Sequence, residues 1–503
     1  MTASTSGTAT GLEDLVTKIV TFLTTDADLV AANQEWAVLR QERDNLASVA
    51  HNLTEQTSVQ ARRIRHGCRY DPRSLNIDSP NNTDGYVQAS GYSAGVSYVR
   101  FQLRVAAEID SVTITAPNVA GAQLSGVPRD FRLQYSDDDS SWTTALTVSG
   151  GAAYTQNESR DHSVGGTPGA HTYWRIIIDS VTSGTVLYWK SMLLLDASGD
   201  CKNHFGSEII FQAPGNSGVD EIYTGIRSEY DAGNGWYNLF LNGYTGYDAN
   251  ETSWFEQPGA LPGVSEPSPA ENPMIPCWDS SMSYWLAANG RCVRIGVKVS
   301  TSFEGGYLGF ILPYATPSQY PYPLAVGGSL VPQDTARGPE WRYSYNSYLH
   351  SVFTTPAGVG SSTLLDAASL YIRAPDGNWR HVCQRITTAN PDAISAMTVS
   401  KTFPFGFSGP SAVVYPTGVH STFTQDNALP YRELINGGYV IQPCIIVTRL
   451  PTPFVFGELE GVFIISGFSN SAENTTTLDS VNYIILQNAS RNEVHEYWAM
   501  ALP

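Results

Sequence analysis

The sequence predicts a mainly β protein with a short helical segment at its start, and three observations support this prediction. Gly (44 residues) and Pro (29 residues) recur along all 503 residues and divide the chain into short segments separated by turns. Aromatic residues, which are enriched in strands, make up 11% of the chain. Helical periodicity without Gly or Pro is confined to the first part of the chain. The length itself predicts about three domains.

The composition also excludes several classes of protein. Charged residues are 15% of the chain, against about 25% in an average soluble domain, which excludes disorder driven by charge. The formal charge of -18 argues against a general electrostatic attraction to nucleic acid or to an anionic membrane surface. Because no run of about 18 apolar residues occurs and no basic region precedes an apolar start, neither membrane insertion nor a secretory signal is predicted.

The first segment, residues 1–67, is predicted to be helical and to serve in docking or oligomerisation. Leucine, isoleucine and phenylalanine side chains recur at helical spacing from Leu12 to Leu23 and form one apolar face. Asp26 or Asp28 is predicted to cap a second helix. In that helix, apolar residues fit the a and d positions of a heptad seam, which Arg43 interrupts: Trp36, Leu39, Leu46, Ala50 and Leu53.

Two interpretations of this segment remain open. It forms an oligomerisation seam through Trp36, Leu39, Leu46 and Leu53, or it packs as a helical hairpin on its own chain. A basic cluster follows at Arg62, Arg63, Arg65 and Arg69, and within so acidic a chain it is predicted to contact an acidic neighbouring surface.

The second segment, residues 68–200, has the alternation of a β-sandwich. From Tyr98 to Val105, polar and aromatic side chains alternate with apolar ones, so that Tyr98, Arg100 and Gln102 share one face of the strand. A second alternating strand precedes the polar turn Ser136–Ser141, and a core strand is predicted at His171–Ile178. Antiparallel strands at this spacing favour a sandwich.

Two runs in this segment, FRLQYSDDDSSWTTALTV and HTYWRIII, resemble the discoidin or coagulation-factor type C domain. The resemblance implies a jelly roll, and in many relatives such a domain binds carbohydrate through loops at one end. Asp139 stands where the family usually has Gly in its SDDG turn, and no paired terminal cysteines are evident.

The third segment, residues 201–503, is predicted to be a large β-sandwich-type region. Its runs EIIFQAPGNSGVDEIYTGIRSEYD and YIILQNASRNEVHEYWAMALP look like a family of virion structural proteins of tailed bacteriophages, and so does the N-terminal LEDLVTKIVTFLTTDADLVAANQEWAVLR. The resemblance implies a component of the phage tail at the baseplate, tail tip or fibre attachment, with the discoidin-like domain inserted.

Searches for catalytic and metal-binding motifs select no residues, so no enzyme activity is predicted. Gly91–Gly95 matches the G-x-S-x-G nucleophile elbow, but a strand follows it where that motif needs a helix. The six cysteines contain no C-x-x-C pair and are predicted to be buried thiols, although the spacing of Cys277 and Cys292 would allow a disulfide.

No cofactor is predicted either, although two oxygen-rich turns offer the ligand types that calcium prefers. Such turns are rich in the same residues because these residues cap backbone amides. The two groups are Asp78, Asn81, Asn82 and Asp84, and Asp137, Asp138 and Asp139.

The leading interpretation is a structural phage-tail protein, assembled in the cytoplasm of the bacterial host. Its predicted partners are itself, as a trimer or hexamer, and other virion tail proteins, with no nucleic acid and no membrane insertion. The alternative is an adhesin whose discoidin-like domain binds a glycan of the host surface. A polysaccharide depolymerase is disfavoured, because neither a nucleophile nor a carboxylate pair stands out in the sequence.

Overall fold

The structure, a computed structural model, describes most of the chain, and all statements below concern these residues. They are 3–52, 54–55, 87–117, 121–189, 191–203, 206–215, 218, 220–231, 236–251, 254, 257–261, 272–329, 352–353, 370–382, 412–415, 440–448, 454–466, 471–487 and 497–502. None of the helices within these ranges combines the length and the apolar character that a membrane span requires.

The predicted fold class is confirmed, because the structure is mainly antiparallel β-sheet with a short helical region near its start. The elements before residue 208 are β1 (Ala3–Ala9), α1 (Leu12–Thr25), α2 (Ala27–Ala31), β2 (Ala37–Glu42), β3 (Leu46–His51), β4 (Thr54–Glu55), β5 (Val87–Ser90), β6 (Tyr98–Ala107), β7 (Ser111–Thr115), α3 (Ala122–Ser125), β8 (Asp130–Ser136), β9 (Thr143–Val148), β10 (Ser159–Ser163), β11 (His171–Ser180), β12 (Val186–Trp189) and β13 (Ser191–Leu195).

The elements from residue 208 onward are all strands. They are β14 (Glu208–Ala213), β15 (Ile222–Asp231), β16 (Trp236–Tyr244), β17 (Met274–Cys277), β18 (Met282–Ala288), β19 (Cys292–Val299), β20 (Ser302–Phe310), β21 (Leu312–Pro313), β22 (Leu324–Gly327), β23 (Leu370–Arg373), β24 (Trp379–His381), β25 (Ala412–Tyr415), β26 (Val440–Thr448), β27 (Phe454–Ser466), β28 (Thr475–Leu478), β29 (Val481–Gln487) and β30 (Tyr497–Leu502).

The chain divides into two compact units. The larger unit combines residues 1–40 with residues 208–503, and the module comprises residues 41–207. The module therefore begins well before the expected boundary at residue 68, because β3 belongs to its central sheet. The chain enters and leaves the module at neighbouring points, since the Asp44 amide donates to Ser207 Oγ (3.2 Å) and the Gly206 amide donates to Asp44 Oδ1 (2.9 Å).

The larger unit contains three sheets and the first two helices. Their strand orders are β1-β18-β19-β20-β22-β23-β24, β17-β16-β15-β14-β2 and β25-β26-β27-β30-β29-β28, with β21 paired to β27. The predicted first helix is confirmed as α1, whose apolar face, including Leu15, Ile19 and Leu23, is buried. Asp26 caps α2 as predicted, because its side chain accepts from the amides of Asp28 and Leu29.

The predicted second helix ends at Ala31, and the heptad seam predicted in its continuation is wrong. Residues 37–42 and 46–51 form the strands β2 and β3, which pair with β14 and β6 respectively. Pairing with these distant strands supplies hydrogen bonds and burial that outweigh local helical spacing. The helical spacing of these apolar residues is therefore coincidental. Arg43, which interrupts the repeat, already argued against a continuous seam.

The four residues of the expected seam do not share one surface. Trp36 is buried in the larger unit, where its indole Nε1 donates to the Asn289 carbonyl (2.9 Å). Leu39, three residues after Trp36, is half-buried. Leu46, in contrast, is buried in the module, where it lies opposite Leu103 of β6. Leu53 and the basic cluster at residues 62–69 lie outside the described residues. Because Trp36 and Leu46 serve different cores, they cannot belong to one docking helix.

The module is a sandwich of a five-stranded sheet and a three-stranded sheet, with a further small sheet β12-β5-β4. The two larger sheets have the orders β3-β6-β11-β8-β9 and β10-β7-β13. Their inner faces meet, since the Phe131 ring of β8 contacts the His162 ring of β10 with centroids 5.0 Å apart. Buried side chains from both sheets fill the core: Val99, Phe101, Leu103, Leu133, Trp174, Ile176 and Ile178 face Val112, Ile114, Met192 and Leu194.

The described cysteines Cys201, Cys277, Cys292 and Cys444 are buried free thiols. The disulfide that the spacing of Cys277 and Cys292 would allow is therefore not formed. Burial raises the pKa of the Cys292 thiol to about 12, and it raises the pKa of Cys277 as well. Neither thiol is a reactive nucleophile, because the thiolate is the reactive form and burial suppresses it.

Candidate functional site

The motif Gly91–Gly95 lies in the connection between β5 and β6 of the module. Ser93 is exposed, and its amide donates to Ser97 Oγ (2.8 Å). Gly95 has a φ of 70°, which glycine adopts readily. A strand follows the motif, as the sequence predicted, and so this serine lacks the strand-to-helix turn of a nucleophile elbow.

The acidic turn between β8 and β9 sends its three carboxylates to three different partners. Asp138 accepts from the amides of Ser140 (2.9 Å) and Ser141 (2.7 Å), and these hydrogen bonds hold the pKa of Asp138 well below its usual value. Asp137 contacts His171 Nδ1 (2.9 Å), and Asp139 forms an ion pair with Arg100.

These contacts explain the turn without a metal ion. Calcium needs several oxygens that converge on one point, whereas these carboxylates diverge. Within the described ranges, no group of three or more His, Cys, Asp or Glu side chains is arranged to hold a metal. The other oxygen-rich turn, residues 78–84, lies outside those ranges.

The backbone conformation of Asp139 explains how this residue can stand where the discoidin family usually has glycine. Its φ is 59°, in the left-handed region where glycine is favoured and where Asp is one of the tolerated residues. The backbone of the turn therefore has the conformation that the family motif requires. The Asp139 side chain pairs with Arg100 on β6, two strands away from β8. This ion pair offsets the cost of the left-handed backbone.

We expect Asp139→Ala to be less stable than Asp139→Gly by about 1 kcal/mol, because both lose the ion pair but only glycine relieves the left-handed backbone. The loss of the half-exposed ion pair alone should cost only about 0.2–1 kcal/mol. Thermal unfolding of the two full-length variants measures the difference. Equal stabilities would show that the turn adopts another backbone conformation.

The outer face of the five-stranded sheet gathers polar and aromatic side chains from neighbouring strands. The register places Arg175 of β11 directly between Arg100 of β6 and Gln134 of β8. One step along the sheet, Tyr173 lies opposite Gln102, and the Gln102 Nε2 donates to the Tyr173 hydroxyl (3.3 Å). We call this surface the arginine–aromatic face, and its members are Tyr98, Arg100, Gln102, Arg132, Gln134, Trp142, Tyr173 and Arg175.

Arg175 is the centre of the arginine–aromatic face. Its guanidinium carbon lies 4.1 Å from the centroid of the Trp142 ring and 5.9 Å from that of Tyr98. Its Nε donates to Gln134 Oε1 (2.8 Å). Burial lowers the pKa of Arg175, although an arginine retains its charge at neutral pH. The guanidinium thus lies against two aromatic rings, and its hydrogen-bond partner, Gln134, is neutral.

The turn between β8 and β9 completes this face. Because Asp139 reaches Arg100 and Trp142 covers Arg175, the turn leans over the outer side of the sheet. Tyr98, Trp142 and Tyr173 are all half-buried, so each of these rings retains surface that is open to solvent. Three partly open rings on one face are unlike the fully packed rings of the core, such as Trp174.

The remaining charges of this face are neutralised locally. Arg132 forms a bidentate pair with Asp179, in which Nη2 to Oδ1 is 2.8 Å and Nε to Oδ2 is 2.9 Å. This hydrogen bonding raises the pKa of Arg132. Arg100 is paired with Asp139. Arg175 forms no ion pair with any residue that the structure describes.

The module also has a cleft of about 450 Å³ beside the points where the chain enters and leaves. Its polar groups already have partners. Lys202 Nζ contacts Asp196 Oδ2 (2.6 Å), and Asn45 is bonded to the Val105 amide and to the Lys202 carbonyl. The cleft therefore offers fewer unsatisfied groups to a ligand than the arginine–aromatic face.

Part of the arginine–aromatic face follows from the sequence and part does not. The alternation of β6 alone places Tyr98, Arg100 and Gln102 on one side. Nothing local indicates that Arg175 lies beside Arg100, or that Trp142 of the turn after β8 covers it. Those neighbours depend on the strand order of the sheet, which long-range pairing decides.

Comparisons with known proteins return structural similarity only. No protein-family model matches the chain, and no curated protein matches it at a significant level. The similar solved structures include a carbohydrate-binding module (CBM32) of Clostridium perfringens in complex with GalNAc-β-1,3-galactose, at 12% identity and a TM-score of 0.21. This similarity covers 29% of the present chain and 91% of that module.

Two further structures give similar values. A family 32 module of Clostridium perfringens NanJ in complex with galactose has 12% identity and a TM-score of 0.21, covering 30% of this chain and 97% of that one. An F5/8 type C domain from Bacteroides fragilis has 10% identity and a TM-score of 0.21, covering 32% of this chain and 95% of that domain.

Proposed function

We propose that the module binds a carbohydrate on its arginine–aromatic face and that the larger unit carries the module. The observation behind this proposal is the set of three half-buried rings, Tyr98, Trp142 and Tyr173, on the face that carries Arg175, two of which, Tyr98 and Trp142, lie against its guanidinium. The family resemblance of the sequence implies the same class of ligand. It places ligand loops at one end of the jelly roll, whereas the surface proposed here is the outer side of the sheet.

The chemistry of this surface matches that of a sugar. A pyranose ring presents apolar C–H groups on its faces and hydroxyl groups around its rim. Partly open aromatic rings offer flat apolar area at a low cost in conformational entropy. Arg175 and Gln102 supply hydrogen-bonding groups within the same patch. A small number of polar groups among aromatic side chains is the usual composition of a small-molecule site.

The surface is also rigid before a ligand arrives. Its side chains stand on paired strands, and Gln134 is fixed because its Nε2 donates to Thr144 Oγ1 (2.9 Å). The ion pair of Arg100 with Asp139 fixes the turn that carries Trp142. Preorganised groups lose little entropy on binding, so a modest contact area gives useful affinity.

The test is a glycan array probed with the full-length chain, followed by titration calorimetry of the best ligand with variants. We expect Trp142→Ala to weaken binding about tenfold or more, because it removes a stacking ring and loosens Arg175. Tyr314→Ala is the matched control, since it removes a ring that is 51% exposed in the larger unit.

Two outcomes would overturn the proposed site. Either the wild-type chain binds no glycan on the array, or folded Trp142→Ala binds the selected glycan as tightly as the wild type. Circular dichroism of each variant establishes that it is folded before its binding is compared.

We propose in addition that the larger unit is a non-enzymatic component of a phage tail that associates with itself and with other virion proteins. This proposal is supported by the sequence resemblance of residues 12–40, 208–231 and 483–503. Immunogold labelling of virions should place the protein on the tail, and unlabelled virions would contradict the proposal.

A further inference from the structure

The arginine–aromatic face carries one arginine that forms no ion pair with any residue the structure describes, although the Asp139 carboxylate acts on it electrostatically. Of its three arginines, Arg100 is paired with Asp139 and Arg132 with Asp179. Arg175 has only the neutral Gln134 as a hydrogen-bond partner. A half-buried cation without an ion pair is unusual, because burial penalises the charged form.

Arg175 is held in place by its neighbours on the sheet. The Trp142 ring covers the guanidinium at 4.1 Å, and the hydrogen bond to Gln134 fixes its Nε. Gln134 is itself buried, with 7% of its surface exposed, and is bonded to Thr144. The carboxylates of Asp139 and Asp179 are already engaged by Arg100 and Arg132.

The two Nη groups of Arg175 have no partner among the described residues. The only hydrogen bond from this side chain to a described residue comes from its Nε. A guanidinium whose Nε is held and whose Nη groups have no such partner presents a planar donor edge. That edge suits a carboxylate, which accepts two parallel N–H bonds from it.

We infer that the carbohydrate bound on this face is acidic and that its carboxylate pairs with the Nη groups of Arg175. The inference rests on the proposed function and names its ligand class as glycans that contain a uronic or sialic acid residue. The sugar ring then lies against the open aromatic surface of Tyr98, Trp142 and Tyr173, next to the cation.

The charge of the whole chain makes this inference specific. At a formal charge of -18, the protein does not attract a polyanion in general. Binding of an acidic glycan would therefore report a local site rather than a diffuse field. One charge-assisted bidentate pair in a partly desolvated site is sufficient to distinguish an acidic sugar from its neutral counterpart.

The test compares two matched pairs of glycans on the full-length chain by titration calorimetry. The pairs are sialyllactose with lactose, and an oligogalacturonate with the same oligosaccharide after reduction of its carboxyl groups. For at least one pair we expect the acidic member to bind about tenfold or more tightly than the neutral one. Arg175→Gln should remove this preference, and Arg175→Lys should restore only part of it because lysine lacks the planar fork.

Arg160→Gln is the matched control, because Arg160 belongs to β10 of the other sheet and is paired with Glu158. This variant should retain the full preference for the acidic glycan. A sulfated oligosaccharide without carboxylates is tested as a competitor for the acidic glycan. If it competes as well as the carboxylate-containing sugars do, the site recognises an anion of any kind and the assignment to carboxylates fails.

Failure of this inference is distinguishable from failure of the proposed function. Equal binding of the acidic and neutral members, or an unchanged preference in folded Arg175→Gln, overturns the inference while carbohydrate binding stands. If the array selects no glycan and none binds in calorimetry, both the inference and the proposed carbohydrate binding are overturned.

Discussion

Replacing Arg227 by Met is expected to lower the free energy of unfolding of the larger unit by about 3–5 kcal/mol. Arg227 lies in a buried row of charges on neighbouring strands. Its Nη1 is 2.7 Å from Glu208 Oε1 and its Nε is 2.7 Å from Glu229 Oε1. All three side chains are at most 2% exposed, and Arg40 contacts the second oxygen of Glu208 (2.7 Å).

The size of this effect follows from desolvation. Two carboxylates and one guanidinium have been removed from water, and their attraction compensates that cost only while the row is intact. Methionine fills much of the same volume but leaves buried carboxylates without the cation between them. The loss therefore exceeds that of an ordinary ion pair several times over.

The matched control is Lys298→Met, which removes a cation from the exposed pair with Glu473 in the same unit. That variant should cost only about 0.2–1 kcal/mol because water screens the pair. Urea unfolding of both full-length variants gives the comparison. Similar small losses in the two variants would mean that water reaches Arg227 and that the row is not buried in solution.

Replacing Trp174 by Ala is expected to destabilise the module by about 3–5 kcal/mol while leaving the larger unit folded. Trp174 is fully buried on β11, and its Nε1 donates to the His171 carbonyl (3.1 Å). Its ring packs against Tyr135 and His171, with centroid distances of 5.6 and 5.9 Å. Alanine would leave a cavity that the rigid strands of the sandwich cannot fill.

Differential scanning calorimetry of the full-length chain tests both parts of this prediction. Because each unit has its own core, we expect separate transitions, of which only that of the module shifts to lower temperature. Trp174→Phe, which keeps most of the volume, should shift it less. A common shift of the whole unfolding profile would show that the two units unfold together.

The sequence already contained the local part of this structure. Gly and Pro spacing and the alternation of Tyr98–Val105 and Phe131–Tyr135 predict strands, and α1 follows from its apolar period. The Asp26 cap and the turn at Ser136–Ser141 were also evident, because hydrogen bonds between residues two to four apart fix such features. The left-handed backbone at Asp139 follows from the family motif in which glycine is usual.

Distant pairing decided what the sequence left ambiguous. The apolar repeat from Trp36 to Leu46 fits a helix, yet its residues form strands because β14 and β6 supply partners far along the chain. For the same reason the module begins at residue 41 rather than 68.

The candidate site is the clearest case of this division. The residue types that suit a sugar were visible one by one, since Tyr98, Arg100, Trp142 and Arg175 can be read from the chain. Their neighbourhood was not, because a strand pattern fixes the face of each side chain but not the order of strands in a sheet. The sequence thus determined a β protein with polar strand faces. Only the tertiary structure paired Arg100 and Arg132 with carboxylates and gave Arg175 no ion pair among the described residues.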